Sequence, residues 1–322
     1  MLKYKIIFFV PYFGHFNNYF QWWLESCGQN PSINWVLLTD DERHFDYPTN
    51  VTKVQTTLNQ VRKDIEHMLG FKVSLEKPFK LCDFRPAFGW LFQNYLKGYD
   101  FWGYCDTDLI WGDMRKFLTD EILNNYAKIG RHGHCVLIKN EKRCNEAFMA
   151  EYDDIPSYRE VFQSPLAYCF DEWKGINRLF ERQNLPIYWE PTYIDIDTRY
   201  WNFRPSGSLI GGENSGMLNG VANYKDGCLI IHWHISDGMK ERELFYLHLQ
   251  KRCISIETER KDRYSIVPNR LIPIQECWDN DTVGRIAPMK TFYSDYWKRR
   301  IRYILGKITK TNIPEFYNWK IK

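Results

Sequence analysis

The chain has 322 residues, 44% hydrophobic and 17% aromatic, with a formal net charge of +3 at pH 7. That length allows one large α/β domain or two small ones. The near-neutral charge argues against a protein that binds nucleic acid through bulk charge, and no run reaches the roughly 18 to 20 apolar residues that cross a bilayer. The nine cysteines are odd in number and scattered, with no Cys-x-x-Cys pair. This spacing argues against zinc ribbons and disulfide frameworks. With a start that lacks a small-residue cleavage site, it predicts a cytoplasmic protein in a reducing environment. The 13 Trp and 21 Tyr suit either a heavily aromatic core or a groove that stacks on sugar rings or bases.

Residues 6–10 form a continuous apolar run closed by Pro11 and Gly14, the pattern of a central parallel strand. Asn17 is placed to cap a helix over residues 18–27. Residues 33–38 read as a second buried strand, closed by Thr39-Asp40-Asp41. A β-α-β unit of this kind predicts a parallel sheet with its ligand at the strand carboxyl ends. Both loops suit a nucleotide: Tyr12 or Phe13, beside Pro11, can stack on a base, and Asp40 can accept from a base or ribose. Ordinary loop chemistry is the competing explanation.

A third strand is predicted over residues 51–54 and a helix over 58–69, where Leu58, Val61, Ile65 and Leu69 share a face. Residues 77–92 read mostly as a helix with Lys80, Asp83 and Arg85 near its start. Lys80 and Arg85 can grip phosphate, and Asp83 can hold a sugar or orient Arg85. A surface ion pair is the plainer reading.

The buried strand 101–105 then runs out into Asp106-Thr107-Asp108. Residues i and i+2 of extended backbone point to one side, so the two carboxylates can hold one hard divalent cation. Such a cation neutralises a diphosphate and leaves a polyphosphate-linked group ready to depart. Asp113 follows as a third carboxylate or a loop anchor.

Residues 114–126 read as helical, and residues 128–140 as a Gly-flanked turn into a strand, carrying His132 and His134. Asp171 and Glu172 stand beside Trp173, where acidic groups next to an aromatic ring can form an acceptor site. Glu172, before Asp171, is the candidate general base; a helix N-terminus that favours acids is the alternative. Residues 201–207 and 209–216 are loop-rich, and 229–235 form a strand with His232 and His234 on one face. His248 is followed three residues later by Lys251. One imidazole and one ammonium are what a metal–diphosphate site needs from the far end of a chain. Which of His232, His234 and His248 is the ligand stays open at this point. From Lys290 onward nine Lys or Arg face two acidic residues. Residues 292–310 read as a basic, aromatic-bearing helix suited to an anionic membrane surface.

The chain resembles the bacterial nucleotide-sugar glycosyltransferases of the GT-A fold, in particular the uncharacterised capsular-polysaccharide type. The resemblance covers residues 4–255 and rests on four places: residues 6–14, 80–85, the Asp106-Thr107-Asp108 triplet and residues 248–252. The second and third together are similar to the Asp-x-x-Arg…Asp-x-Asp arrangement of transferases related to the yeast initiating mannosyltransferases. The chain departs from it before the triplet, where the retaining relatives carry Gly-Gly-x-Tyr and this sequence reads Gly98-Tyr99-Asp100-Phe101-Trp102-Gly103-Tyr104.

The resemblance implies that Asp106 and Asp108 bind Mn2+ or Mg2+ with the donor diphosphate around Thr107, that His248 is the far-end metal ligand and that Lys251 touches the diphosphate. Asp83 and Arg85 would contact the donor. The expected fold is α/β, a GT-A-like Rossmann-type domain over residues 1–255 with a mixed, mostly parallel sheet, followed by a helical extension over 256–322. The expected activity is hexose transfer from a nucleoside-diphosphate sugar, UDP-linked by preference, to a lipid-linked glycan of cell-surface polysaccharide, by an enzyme peripheral at the inner face of the plasma membrane. The rivals are a non-catalytic glycan-binding scaffold and a nucleotidyl or phosphosugar transferase.

Overall fold

Strand β1 (Ile6–Tyr12) is apolar on both faces. Ile7 and Phe9 enter one hydrophobic core; Ile6, Phe8 and Val10 enter another. A strand buried on both sides needs helices over both faces, and parallel neighbours joined by crossovers supply them. The structure, a computed structural model, describes residues 3–189, 192–206, 218–235, 238–276, 279–288 and 294–309. β2 (Ile33–Thr39) and β3 (Val51–Gln55) extend the sheet in parallel on one side of β1, and β4 (Phe101–Cys105) lies parallel on the other. Helix α1 (Phe20–Gly28) makes the first crossover, and α2 (Leu58–Leu69), capped by Thr57, follows β3.

β5 (Leu109–Trp111) leaves this sheet, and β6 (Lys128–Ile129), β7 (Cys135–Lys139) and β8 (Ile187–Tyr188) complete it in the order β3-β2-β1-β4-β7-β6-β8. Only β7 opposes its neighbours, so the sheet is mixed and mostly parallel, with helices on its faces. This is the α/β class expected. The chain continues as β9 (Tyr193–Ile196), β10 (Phe203–Pro205), β11 (Gly220–Lys225), β12 (Cys228–Ile235), β13 (Gly238–Glu243), β14 (Tyr246–His248), β15 (Ser255–Ile256), β16 (Arg263–Val267) and β17 (Arg270–Ile272). Three of these join β5 in the sheet β10-β9-β14-β5, and six form β13-β12-β11-β16-β17-β15. A third core containing Ile194, Tyr224, Leu247 and Tyr264 joins these two sheets. Each such buried side chain contributes about 1.5 to 3 kcal/mol relative to exposure.

Three local expectations change. The first helix begins at Phe20 rather than residue 18; Asn17 offers only its carbonyl, to Phe20 N at 3.1 Å, and its side-chain amide donates to the Tyr19 hydroxyl at 2.8 Å. Residues 77–92 form successive single turns rather than one helix: Pro78–Lys80, Leu81–Phe84, Arg85–Ala87 and Phe88–Leu91. Pro86 has no N–H and its ring crowds the preceding turn, which interrupts a regular helix. Gly89 lets this segment settle onto β4, since a Cβ there would stand 2.3 Å from the Trp102 indole. The 114–126 segment divides into Met114–Phe117 and Asp120–Asn125, capped by Asp113 and Thr119. Asp113 is therefore the loop anchor of its two possible roles. The basic helix expected over residues 292–310 is observed as Ser294–Thr309. Of the loop-rich stretch, residues 207–217 lie outside the described residues.

Candidate active site

β4 ends at Cys105, and Asp106-Thr107-Asp108 carries the chain across to β5. β5 pairs with β14, and β14 with β9. The register sets His248 opposite Leu109 on one side and opposite Asp195 on the other. Backbone pairing thus brings Asp108, His248 and Asp195 side by side from three distant parts of the chain. A cavity of about 680 Å³ opens over them.

Asp106 is ion-paired with Arg85, and its backbone N–H donates to the His134 carbonyl at 2.9 Å. Asp108 Oδ2 accepts from the Lys251 backbone N–H at 2.6 Å and lies 3.3 Å from His248 Nε2. Its Oδ1 is buried and has no hydrogen-bond partner. One ligand atom from each of Asp106, Asp108 and His248 lies within 4.8 Å of the others. Two carboxylates and an imidazole are a donor set for Mn2+ or Mg2+, and the orphaned oxygen is what a cation would satisfy. These residues fit the expected metal. His134, Asp195 and His248 make a second such group that shares His248.

Burial would raise both carboxyls, but Arg85, then Lys251 and His248, hold Asp106 well below the usual range. Asp108 is likewise lowered, chiefly by His248 against its burial. Burial alone would lower His248; Asp108 and Asp195 outweigh it and lift the imidazole to about 10. Burial and the neighbouring His248 push His134 down to about 3, so it is neutral. The Asp106 carboxylate raises Lys251 against its own desolvation.

Arg85 also reaches the acidic loop. Its Nη1 donates to the Gly133 carbonyl at 2.7 Å and to Asp171 Oδ2 at 3.1 Å. Burial lifts Asp171 to about 7, with Arg85 opposing. Glu172 lines the cavity and accepts from Gly133 N–H at 2.9 Å. A Cβ on Gly133 would meet Asp171 Oδ2 at 2.3 Å, so only glycine admits this approach.

Lys80 and Asp83 have a different place from the one expected. Lys80 Nζ donates to Asp83 Oδ2 at 2.8 Å and to the carbonyls of Val161 and Leu166 at 2.8 and 2.6 Å. All three donors are used inside the protein, which leaves none for a phosphate. Asp83 borders the cavity, but its oxygens accept from Tyr168 N and Phe170 N, each at 3.0 Å. Between those amides Cys169 takes a left-handed φ of 54°. The pair clamps the loop that carries Asp171 and Glu172. The spacing Asp83-Phe84-Arg85 is also one residue shorter than Asp-x-x-Arg.

At the β1 loop, Tyr12 stacks on Phe16 at 4.6 Å and donates to the His15 carbonyl at 3.0 Å. It lies within electrostatic reach of Lys251 and Asp108. Phe13 is turned into the core, so its ring is taken from any base; Pro11 is half-buried in β1 and Thr107 is buried. Asp40 accepts from Gly14 N at 2.7 Å. His232 and His234 lie on β12 in the six-stranded sheet, with His232 3.4 Å from Glu241; neither joins the carboxylate groups above. Sequence reasoning missed Asp195 and Gln250. Asp195-Ile196-Asp197 is a second Asp-x-Asp, set in an apolar strand, and that was the available signal.

Solved structures similar to the chain include a galactosyltransferase, LgtC, in complex with donor and acceptor sugar analogs, at 10% identity and TM-score 0.32 over 59% of this chain and 75% of that one. The glycosyltransferase GlyE of Streptococcus pneumoniae TIGR4 is similar at 14% identity and TM-score 0.28, over 58% of this chain and 45% of that one. Its apo form gives 16% identity and TM-score 0.27 over 57% and 44%. The chain thus spans less than half of GlyE. No curated protein sequence matches it. Residues 8–275 match a family of unknown function, and the chain belongs to that family, DUF6625.

Proposed function

We propose that the protein is a metal-dependent glycosyltransferase that moves a hexose from a nucleoside-diphosphate sugar, UDP-linked by preference, to a lipid-linked glycan of cell-surface polysaccharide, of the capsular type. The observation that carries this reading is the meeting of Asp106, Asp108 and His248, with an unsatisfied Asp108 oxygen, in a cavity also lined by Arg85 and Lys251. A bound Mn2+ or Mg2+ would supply positive charge to a leaving diphosphate. Lys251 adds a compact cation beside the same position. In this reading Tyr12 and Asp40 would border the base and ribose, and Asp171 and Glu172, which line the cavity, would face the acceptor hydroxyl. Asp171, lifted to about 7, is poised to hold or release a proton near neutral pH.

The helix Ser294–Thr309 exposes Trp297, Ile301, Ile304 and Leu305 at helical spacing among basic residues. It would lie on an anionic membrane and bring the enzyme to its acceptor. Among the described residues no helix is long and apolar enough to cross a membrane. Deleting residues 293–322 should release the protein from anionic liposomes; unchanged binding would sink this part.

The functional reading is tested by thermal shift with UDP-, GDP-, CMP- and dTDP-sugars, with and without Mn2+. A ligand that binds only the native state raises the midpoint. The expected result is a UDP-sugar shift that needs Mn2+, with nucleoside diphosphate released on turnover. No shift with any donor favours a glycan-binding protein, and release of pyrophosphate or nucleoside monophosphate favours the other transferases.

A further inference from the structure

We propose that Asp195 is the positioning residue of the carboxylate–imidazole cluster. It holds His248 through Nδ1, so that Nε2 stays aimed at the position shared with Asp106 and Asp108. This rests on the cation reading above and assigns a residue that the Asp-x-Asp triplet does not contain.

His248 Nδ1 lies 2.9 Å from Asp195 Oδ1, and Nε2 lies 3.3 Å from Asp108 Oδ2. One ring nitrogen is held from strand β9 and the other from the turn that leads into β5, so a ring flip loses both contacts. A carboxylate only accepts, so the nitrogen facing Asp195 keeps its hydrogen; Nε2 faces the Asp108 carboxylate, and a cation arriving there would displace the Nε2 hydrogen and take that lone pair. A metal-bound imidazole needs such a partner to fix tautomer and orientation.

Asp195 is itself held. It is buried, and strand pairing places it beside His248 rather than leaving it to a mobile loop. Gln250 Nε2 lies 3.0 Å from both Asp195 Oδ1 and His248 Nδ1, and the carboxylate is the acceptor of the two. Gln250 and Lys251 are both left-handed, with φ of 55° and 51°, a conformation that residues with side chains adopt at a cost. That turn aims the Gln250 amide at Asp195 and the Lys251 N–H at Asp108. His134, parked on the Tyr246 hydroxyl at 2.9 Å, packs its ring 4.4 Å from His248 and narrows its movement further.

The test is Mn2+ affinity by titration calorimetry for the full chain, Asp195→Asn and Asp195→Leu. It is paired with the exchangeable imidazole N–H resonance of the Co2+-loaded proteins. Asn keeps an acceptor oxygen and should weaken Mn2+ binding by about tenfold with the Nδ1–H resonance retained; Leu should weaken it by about a hundredfold and lose that resonance. Because Asn matches Asp in size, that variant decides the matter if Leu does not fold. Mn2+ affinity within twofold of wild type in Asp195→Asn, or a hydrogen on Nε2 in the loaded wild type, overturns the proposal. A wild-type chain that binds no Mn2+ overturns the cation reading and this assignment with it.

Discussion

Lys80 and Arg85 stand on neighbouring turns of one segment, and each pairs with a carboxylate in a largely enclosed place, Lys80 with Asp83 and Arg85 with Asp106, yet the two pairs end differently. Lys80 spends all three donors on Asp83 and two carbonyls, and Asp83 spends its oxygens on Lys80 and two amides. Nothing polar is left over. Around Asp106 the valences do not close: Asp108 Oδ1 is buried without a partner, and three ligand atoms converge on one position. A closed pair holds a loop in place. An open cluster holds room for something else.

The largest effect that separates the two is on turnover. Asp108→Asn should lower transferase activity by about a thousandfold and abolish the Mn2+-dependent donor shift, while the melting temperature stays within a few degrees. Wild-type turnover in that variant would place Asp108 with the closed pair. Next comes stability. Lys80→Met leaves Asp83 with no cation in a buried position, and chemical denaturation should show a loss of about 3 kcal/mol. A variant as stable as wild type would mean that the pair does not support the loop.

The smallest effect is a pH slope. Folding raises Asp171 from the ordinary carboxyl range to about 7. Between roughly pH 4 and 7 the folded chain therefore keeps a proton there that the unfolded chain has released, and stability falls as pH rises through that window before levelling off. Asp171→Asn should remove up to ~1.4 kcal/mol per pH unit of that decline. Parallel melting curves for the two proteins from pH 5 to 8 would show that Arg85 keeps this carboxyl charged.

The strands were legible because an apolar run such as residues 6–10 has little alternative to a doubly covered strand. The Asp106-Thr107-Asp108 triplet was legible for a related reason: a buried strand fixes the turn that follows it. Residues 77–92 were not, because side-chain spacing carries a helical period through Pro86 while the backbone cannot. Lys80 and Asp83 misled because sequence shows charge but not whether that charge is already satisfied. The second Asp-x-Asp could have marked Asp195 as a candidate, but not its place: it becomes a neighbour of His248 only when β9 and β14 pair, and nothing within either segment announces the other.

Strand β14 also sets a timetable. Asp106 and Asp108 leave the ribosome about 140 residues before His248. The seven-stranded sheet uses nothing beyond Tyr188, so it can assemble while the rest is still being made. Until residues 246–248 emerge and slot between β5 and β9, the acidic triplet lacks the His248 imidazole. A prematurely terminated chain would thus carry the folded sheet with its two carboxylates and no working centre, and capture of a metal ion would report that synthesis had passed this point.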